Sequence, residues 1–309
     1  MAYLGKTPAS VSLVGLSFIE DAAQQEFGVP LHQVSALHLV LRWDRIQVLL
    51  DPSTPHFSVQ GGNQQLIHSL LERVAGVIPD YLVRNQYKLI KVVDRGFIFE
   101  CRFKTPIGEE LLFAKNVIFA LPELALTQVA GIESLPLSES RKEFLKRSRR
   151  AAHTKILITA EGMGDLPSNF LSSKGQGRWV RGLQLPKDHP AFSSAQKIRL
   201  ETLIDEEAKT SNQLRTQEFM RDLAKWGNAE KKASFGADSL LVNWALKEGR
   251  GLSKSYLAPG DWSLRQNLTS AAEIENRMTF ASEGESLYYA GTVEGAIRSG
   301  LEAVKPFIS

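Results

Sequence analysis

The chain has 309 residues, 43% hydrophobic and 23% charged, which allows a large buried core and, by length, about two domains. Its 37 basic and 34 acidic residues leave a net charge of +3, mixed along the sequence, too even a balance for a nucleic-acid or anionic-membrane binder. The single cysteine excludes an internal disulfide, and neither a signal-like leader nor an apolar run of membrane-spanning length is apparent, so a soluble cytoplasmic protein is expected.

Residues 1 to 60 read as mostly helical, with apolar positions spaced through "QVSALHLVLRWDRIQVLL" and a stop at Pro52 and Pro55. "FSVQGGNQQLIHSLLERVAG" follows as a short strand, a Gly61-Gly62 turn and a helix with Leu66, Ile67, Leu70, Leu71 and Val74 on one face. Strands are expected over roughly 81 to 93, 97 to 103 and 111 to 120. The last, "LLFAKNVIFALP", reads as one buried strand ended by Pro122. Cys101 falls in the alternating pattern "FIFECRF" as a small strand hydrophobe.

The basic run "RKEFLKRSRR" at 141 to 150 reads as the solvated face of a helix, since only Phe144 and Leu145 form an apolar stripe. "HTKILITAE" is another strand, and residues 187 to 235 are polar and helix-prone, with "QEFMRDLAKWG" the clearest amphipathic stretch. Irregular alternation of strands and helices favours a mixed α/β architecture over a simple repeated βαβ array.

Metal and nucleophile chemistry lacks a basis in this sequence. The histidines at 32, 38, 56, 68, 153 and 189 show no paired ligand spacing, and His68 sits on a helix beside apolar neighbours as a structural residue would. No GxSxG elbow or GxxxxGK phosphate loop occurs.

The most informative stretch is "LYYAGTVEGAIRSGLEAV", residues 287 to 304. A short aromatic strand is expected to stop at Ala290, and a helix to start at once, with Val293, Ala296, Ile297, Leu301 and Val304 on its apolar face. Thr292 suits the N-cap, Glu294 complements the helix dipole, and Gly291 can take a left-handed backbone. Gly295 and Gly300 permit close approach of another backbone or a ligand. Such a strand, glycine turn and helix N-terminus can seat an anion or a polar ring edge. It is also the pattern of an ordinary capped C-terminal helix.

Four segments in this order resemble the flavin-containing amine oxidase family of monoamine, polyamine and L-amino-acid oxidases. They are Gly61-Gly62 with its helix, the strands ending "NVIFALP", "AAHTKILITAE", and "VNWALKEGRGLSKSYLAPG" joined to "LYYAGTVEGAIRSGLEAV". The resemblance implies a partial FAD-binding domain plus a substrate domain whose mixed sheet is covered by helices. On that footing residues 1–56 are substrate-domain helices, 57–130 part of the FAD-binding domain, 131–270 substrate domain, and 271–309 the end of the FAD-binding domain.

It also implies residue roles. Gly61 and Gly62 correspond to the glycine pair where the chain re-enters the FAD domain, and Tyr87 to the position facing the adenine. Lys155 corresponds to the lysine that holds a water near the flavin N5, although a strand lysine laying its stem along a sheet would look the same. Trp244 corresponds to a tryptophan lining the flavin. Gly291, Thr292, Val293, Glu294, Gly295 and Ala296 correspond to the turn and helix start near the isoalloxazine.

The sequence departs from the family in three places. A strand–GxGxxG–helix unit for the FAD pyrophosphate is missing, and "GQG" at 175 to 177 has no third glycine. Thr292 runs straight into Val293, where the family usually inserts residues carrying an aromatic. Leu252 and Ser253 occupy the places of a flavin-linking cysteine and an aromatic, so FAD would be non-covalent.

The expected function is therefore oxidation of a small amine or amino acid by hydride transfer to FAD, completed by a second chain that carries the dinucleotide-binding unit. The alternative is a non-catalytic truncated homologue serving as a binding or interaction module, and a related FAD desaturase or isomerase is a third possibility.

Overall fold

The computed structural model describes residues 20, 23, 26–44, 46, 59, 62–77, 83–151, 154–161, 181–184, 198–204, 234–243, 254–268 and 272–308, with the backbone alone over 154–161, 181–184, 198–204 and 234–243. In chain order the elements are α1 (Ala36–Leu41), α2 (Gln64–Ala75), β1 (Lys88–Asp94), β2 (Phe99–Thr105), β3 (Gly108–Ala114), β4 (Val117–Phe119) and α3 (Glu123–Leu126). There follow α4 (Glu139–Arg147), β5 (Arg149–Arg150), β6 (Thr154–Glu161), β7 (Arg181–Gln184), β8 (Ile198–Ile204) and β9 (Ser234–Asn243). The chain closes with β10 (Ser255–Tyr256), α5 (Trp262–Gln266), β11 (Met278–Phe280) and α6 (Val293–Ile308). Helices and strands are mixed, as the sequence suggests.

Two compact units divide the chain: one of residues 1–52, 117–127 and 136–309, the other of residues 53–116 and 128–135. The smaller unit is built on the antiparallel sheet β1-β2-β3. Val92, Phe99 and Cys101 are buried, together with Val129, Ile132 and Leu135 from the returning segment. Gly131 is obligatory there: its φ is 91°, and a Cβ would lie 2.1 Å from the Val92 carbonyl oxygen. Helix α2 forms where its periodicity predicts, yet Leu66, Ile67, Leu70, Leu71 and Val74 all stay exposed.

In the larger unit β6 is flanked by β8 and β9 in an antiparallel sheet ordered β7-β8-β6-β9. Two short pairs accompany it, antiparallel β5-β10 and parallel β4-β11. One apolar cluster joins Ala23, Phe27, Val34, Ile46, Ala151 and Tyr256, and another joins Phe144, Leu257 and Leu268. Thus the residues just before β6 and those around β10 share a core.

Four expectations from sequence are corrected. The expected single strand at 111 to 120 divides at the polar pair Lys115-Asn116. β3 belongs to the smaller unit, with Leu111 and Phe113 exposed, and β4 belongs to the larger unit. Residues 287–290 are bends and turn rather than strand, and the last strand is β11, a few residues earlier. Within the helix-prone 187 to 235 region, Ile198–Ile204 is a strand held by pairing to β6 and β7, which outweighs local propensity; "QEFMRDLAKWG" lies outside the described residues. The basic run is not simply solvated: Arg141 is buried and Arg150 has a buried side chain, each ion-paired across the unit.

Those ion pairs knit the larger unit. Glu123 Oε2 accepts from Arg150 Nε and Nη2 at 2.9 and 2.6 Å, and its Oε1 accepts from the Ser282 hydroxyl at 2.5 Å. Arg150 Nη2 also donates to Glu283 at 2.9 Å, and Glu283 accepts the Ser255 N–H at 3.1 Å. Arg265, fully buried, donates from Nε to the Gly284 carbonyl at 2.7 Å; burial pushes its pKa down to about 10 against the pull of Glu123, Glu283 and Glu285. Removing one partner of such a bridge strands a buried charge. Glu123→Ala should cost roughly 3–5 kcal/mol in urea unfolding; a loss under about 1 kcal/mol would show that the bridge does not hold the unit.

His38 is buried against Phe27 (ring centroids 4.9 Å apart), and its Nδ1 has no partner among the described residues. Burial first, then Arg265 and Arg42, lower its pKa from 6.5 to about 3. The unfolded chain therefore takes up a proton at a pH where the fold refuses it. Stability contributed here is complete above about 6.5 and drains away as pH falls toward 3. Relative to His38→Leu, the native protein should lose at most about 1.4 kcal/mol per pH unit in that window. Parallel pH profiles of the two unfolding midpoints would contradict it.

Candidate functional site

The site is assembled where three distant segments of the larger unit meet: the strand leading into β6, the stretch around β10, and the turn before α6. Ala151 N–H donates to the Lys254 carbonyl at 3.2 Å, which places the entry to β6 beside β10. The glycine turn abuts the same residue: a Cβ on Gly291 would lie 3.2 Å from Lys254 Cβ. Since Gly291 has φ 75°, both its backbone and its tight contact favour glycine.

Lys254 is fixed from the other side. Its Nζ donates to the Glu26 carbonyl at 2.9 Å and the Glu26 carboxylate at 3.1 Å, while Arg42 Nε donates to that carboxylate at 3.1 Å. Burial raises the Glu26 pKa, but Lys254 and Arg42 overcome it, so the carboxyl sits below the usual glutamate range and stays ionised. Sequence reading missed this cluster, because the lysine in "GRGLSKSY" and its acidic partner lie 228 positions apart.

Turn chemistry then sets the start of α6. Thr292 Oγ1 donates to the Tyr289 carbonyl at 2.6 Å and accepts the Gly295 N–H at 2.9 Å, the N-cap role expected of it. The Ala296 N–H goes to the Thr292 carbonyl at 3.1 Å. Among the described residues the N–H groups of Val293 and Glu294 have no acceptor, and both residues are exposed. Gly295 serves packing: a Cβ there would lie 2.1 Å from the Tyr289 carbonyl oxygen. Glu294 accepts from Arg298 Nε at 2.5 Å, one turn along.

Among the other residues singled out by sequence, Lys155 lies in β6, its backbone in register with Val242 of β9 and Leu203 of β8. Trp244 would follow the end of β9 and lies outside the described residues, as does Gly61. Gly62 has φ 87° and open space around a would-be Cβ just before α2. Tyr87 donates its hydroxyl to Glu110 at 2.6 Å, which raises its pKa, and its ring faces Phe103 with centroids 6.0 Å apart. Both Gly62 and Tyr87 belong to the smaller unit, whereas Lys155 and Gly291 to Ala296 belong to the larger. No cluster of metal-binding side chains exists among the described residues, nor any helix long and apolar enough to cross a membrane.

Residues 11–305 match the family of flavin containing amine oxidoreductases, and the chain belongs to that family. Solved structures agree on the fold. Cyclohexylamine oxidase from Brevibacterium oxydans IH-35A superposes with a TM-score of 0.72 at 17% identity, covering 98% of this chain and 65% of that one. A redesigned double mutant of putrescine oxidase gives 0.74 at 17% identity, covering 100% and 67%. The wild-type putrescine oxidase bound to putrescine gives 0.72 at 17%, covering 97% and 65%. The chain thus spans about two thirds of the length of these oxidases. No curated protein sequence matches it.

The cap at Thr292 is testable by itself. Thr292→Ala should cost about 1 kcal/mol by removing the acceptor for the Gly295 N–H, and Thr292→Ser should recover most of it. Equal stability of the two variants in thermal unfolding would contradict that role.

Proposed function

We propose that this chain forms the substrate side and the ring-edge contacts of an FAD-dependent oxidoreductase acting on a small amine or amino acid, completed by a second chain that carries the dinucleotide-binding unit. The family match over residues 11–305 carries this reading. One feature of the structure supports it: the uncommitted N–H groups of Val293 and Glu294 at the start of α6.

The residues fit a flavin at its ring edge and not at its pyrophosphate. Two N–H donors and the positive end of α6 suit a polar ring edge that gains negative charge on reduction. The described residues offer no matching cradle for the phosphates, which is the share assigned to the second chain. FAD would be bound non-covalently, Leu252 standing where a flavin-linking cysteine could be.

When bound, FAD supplies the acceptor for a hydride from the carbon bearing the amine. The chain's own residues supply placement. Thr292 holds the α6 terminus, and Lys254 and Glu26 hold the Gly291 turn against β10; the family resemblance assigns to Lys155 the water for imine hydrolysis or reoxidation.

The decisive observation is the visible absorption spectrum of the protein purified from its own cells. Flavin bands with a stoichiometric second chain are expected. In that assembly Lys155→Met should lower turnover by on the order of a hundredfold with flavin occupancy unchanged. A second reading, a non-catalytic interaction module, is favoured by the direct Thr292–Val293 junction. A colourless, solitary protein would establish that reading instead.

A further inference from the structure

Glu26 is a buried carboxylate held by two cations where one would match its charge. Arg42, itself buried, donates to it from Nε at 3.1 Å and also from Nη2. Lys254 adds its ammonium at 3.1 Å, with a further bond to the Glu26 carbonyl at 2.9 Å. The side chains of Glu26 and Arg42 are 5% and 4% exposed, and that of Lys254 is 34% exposed. Desolvation makes such a cluster costly, and apolar residues of similar volume often serve stability as well. The core here has other means of holding these segments together. Ala23 and Phe27, on either side of Glu26, pack with Val34, Ile46, Ala151 and Tyr256, and the Ser35 N–H donates to the Leu257 carbonyl at 2.8 Å.

The position of the second cation supplies its reason. The cluster meets the glycine turn through Lys254: the atoms nearest to a Cβ on Gly291 would be Lys254 Cβ, Cγ and Cδ, at 3.2 to 3.4 Å. The ammonium is two bonds beyond Cδ, and Glu26 fixes it there. Two residues past Gly291 begin the uncommitted N–H groups of Val293 and Glu294. Glu294 is itself matched by Arg298. One side chain thus brings both an aliphatic buttress and a fixed positive charge to the turn that starts α6.

We propose that Lys254 is a positioning residue for the ring-edge site, with two separable parts. Its stem sets the Gly291 turn, and its ammonium, held by Glu26, makes the site favour the reduced, anionic flavin ring over the oxidised one. This rests on the function proposed above and adds to it the groups that set the electron affinity of the site. A fixed charge aimed where negative charge develops stabilises the reduced state selectively, because the charge is placed before reduction occurs.

The test uses the protein purified from its own cells with its flavin and any polypeptide that accompanies it. Wild type, Lys254→Met, Lys254→Arg, Lys254→Ala and Glu26→Gln are compared by the two-electron midpoint potential of the flavin, amide exchange over residues 289–296, and circular dichroism. Lys254→Met keeps a stem and drops the charge. Its preference for reduced over oxidised flavin should fall about tenfold, a midpoint potential about 30 mV lower, with exchange unchanged. Lys254→Arg restores the charge and should restore the wild-type potential. Glu26→Gln removes the opposing charge, so its potential should rise. Where circular dichroism shows that Glu26→Gln does not fold, the Met and Arg variants decide the matter alone. Lys254→Ala loses the stem as well, and its amides over the turn should exchange at least tenfold faster than those of Lys254→Met.

A flavin-loaded wild type and Lys254→Met with equal potentials would overturn this proposal while the proposed function stands. Equal exchange in Lys254→Ala and Lys254→Met would overturn the part given to the stem. A wild type without flavin would overturn the proposed function and the role of Lys254 with it.

Discussion

The larger unit depends on one carboxylate. Glu123 opens α3, shortly after β4 in sequence, yet its two oxygens are spent on Arg150 before β6 and on Ser282 after β11. Gly284 is glycine for the same reason, since a Cβ there would lie 2.0 Å from Glu123 Oε1. Because Arg150 also binds Glu283, and Glu283 binds the Ser255 N–H, a single bridge fixes β4, β5, β10 and the 282–285 turn together. The glycine turn at 291 inherits its position from that bridge through a few residues of chain.

Buried ion pairs are weak devices for raw stability, since desolvation takes back much of the attraction. Their value here is geometric. A carboxylate accepting from a guanidinium fork defines direction as well as distance, whereas an apolar contact tolerates sliding. The apolar clusters of this unit are modest, and the polar network supplies the registration between segments that lie more than a hundred residues apart. Lys254 extends the same logic outward: its ammonium is tied to Glu26 and its stem walls the Gly291 turn, so charge pairing holds that turn in place.

Helix α6 shows how packing and recognition divide one element. Small residues at i, i+4 and i+8 let it lie close on β11, and the larger apolar residues are left outward. Its N-terminus is likewise half finished, with Thr292 satisfying one N–H and two others uncommitted.

Sequence by itself determined the local events. Period and capping residues located α2 and α6, Thr292 as N-cap, the β2 strand around Cys101 and the strand of "HTKILITAE", because each is governed by neighbours within a turn or a pleat. The four ordered segments also pointed to the family. What only the tertiary structure decided was pairing over distance. Nothing local in "LLFAKNVIFALP" says that its halves join different units, since both halves have strand composition and only their partners differ. Nothing in "RKEFLKRSRR" tells the solvated Lys142 from Arg141 and Arg150, whose carboxylates arrive from residues 273 to 285 and from Glu123. The apolar periodicity of α2 and α6 was readable, but which face each would bury was not: periodicity reports that a face wants cover, and only the assembled fold shows whether this chain provides it.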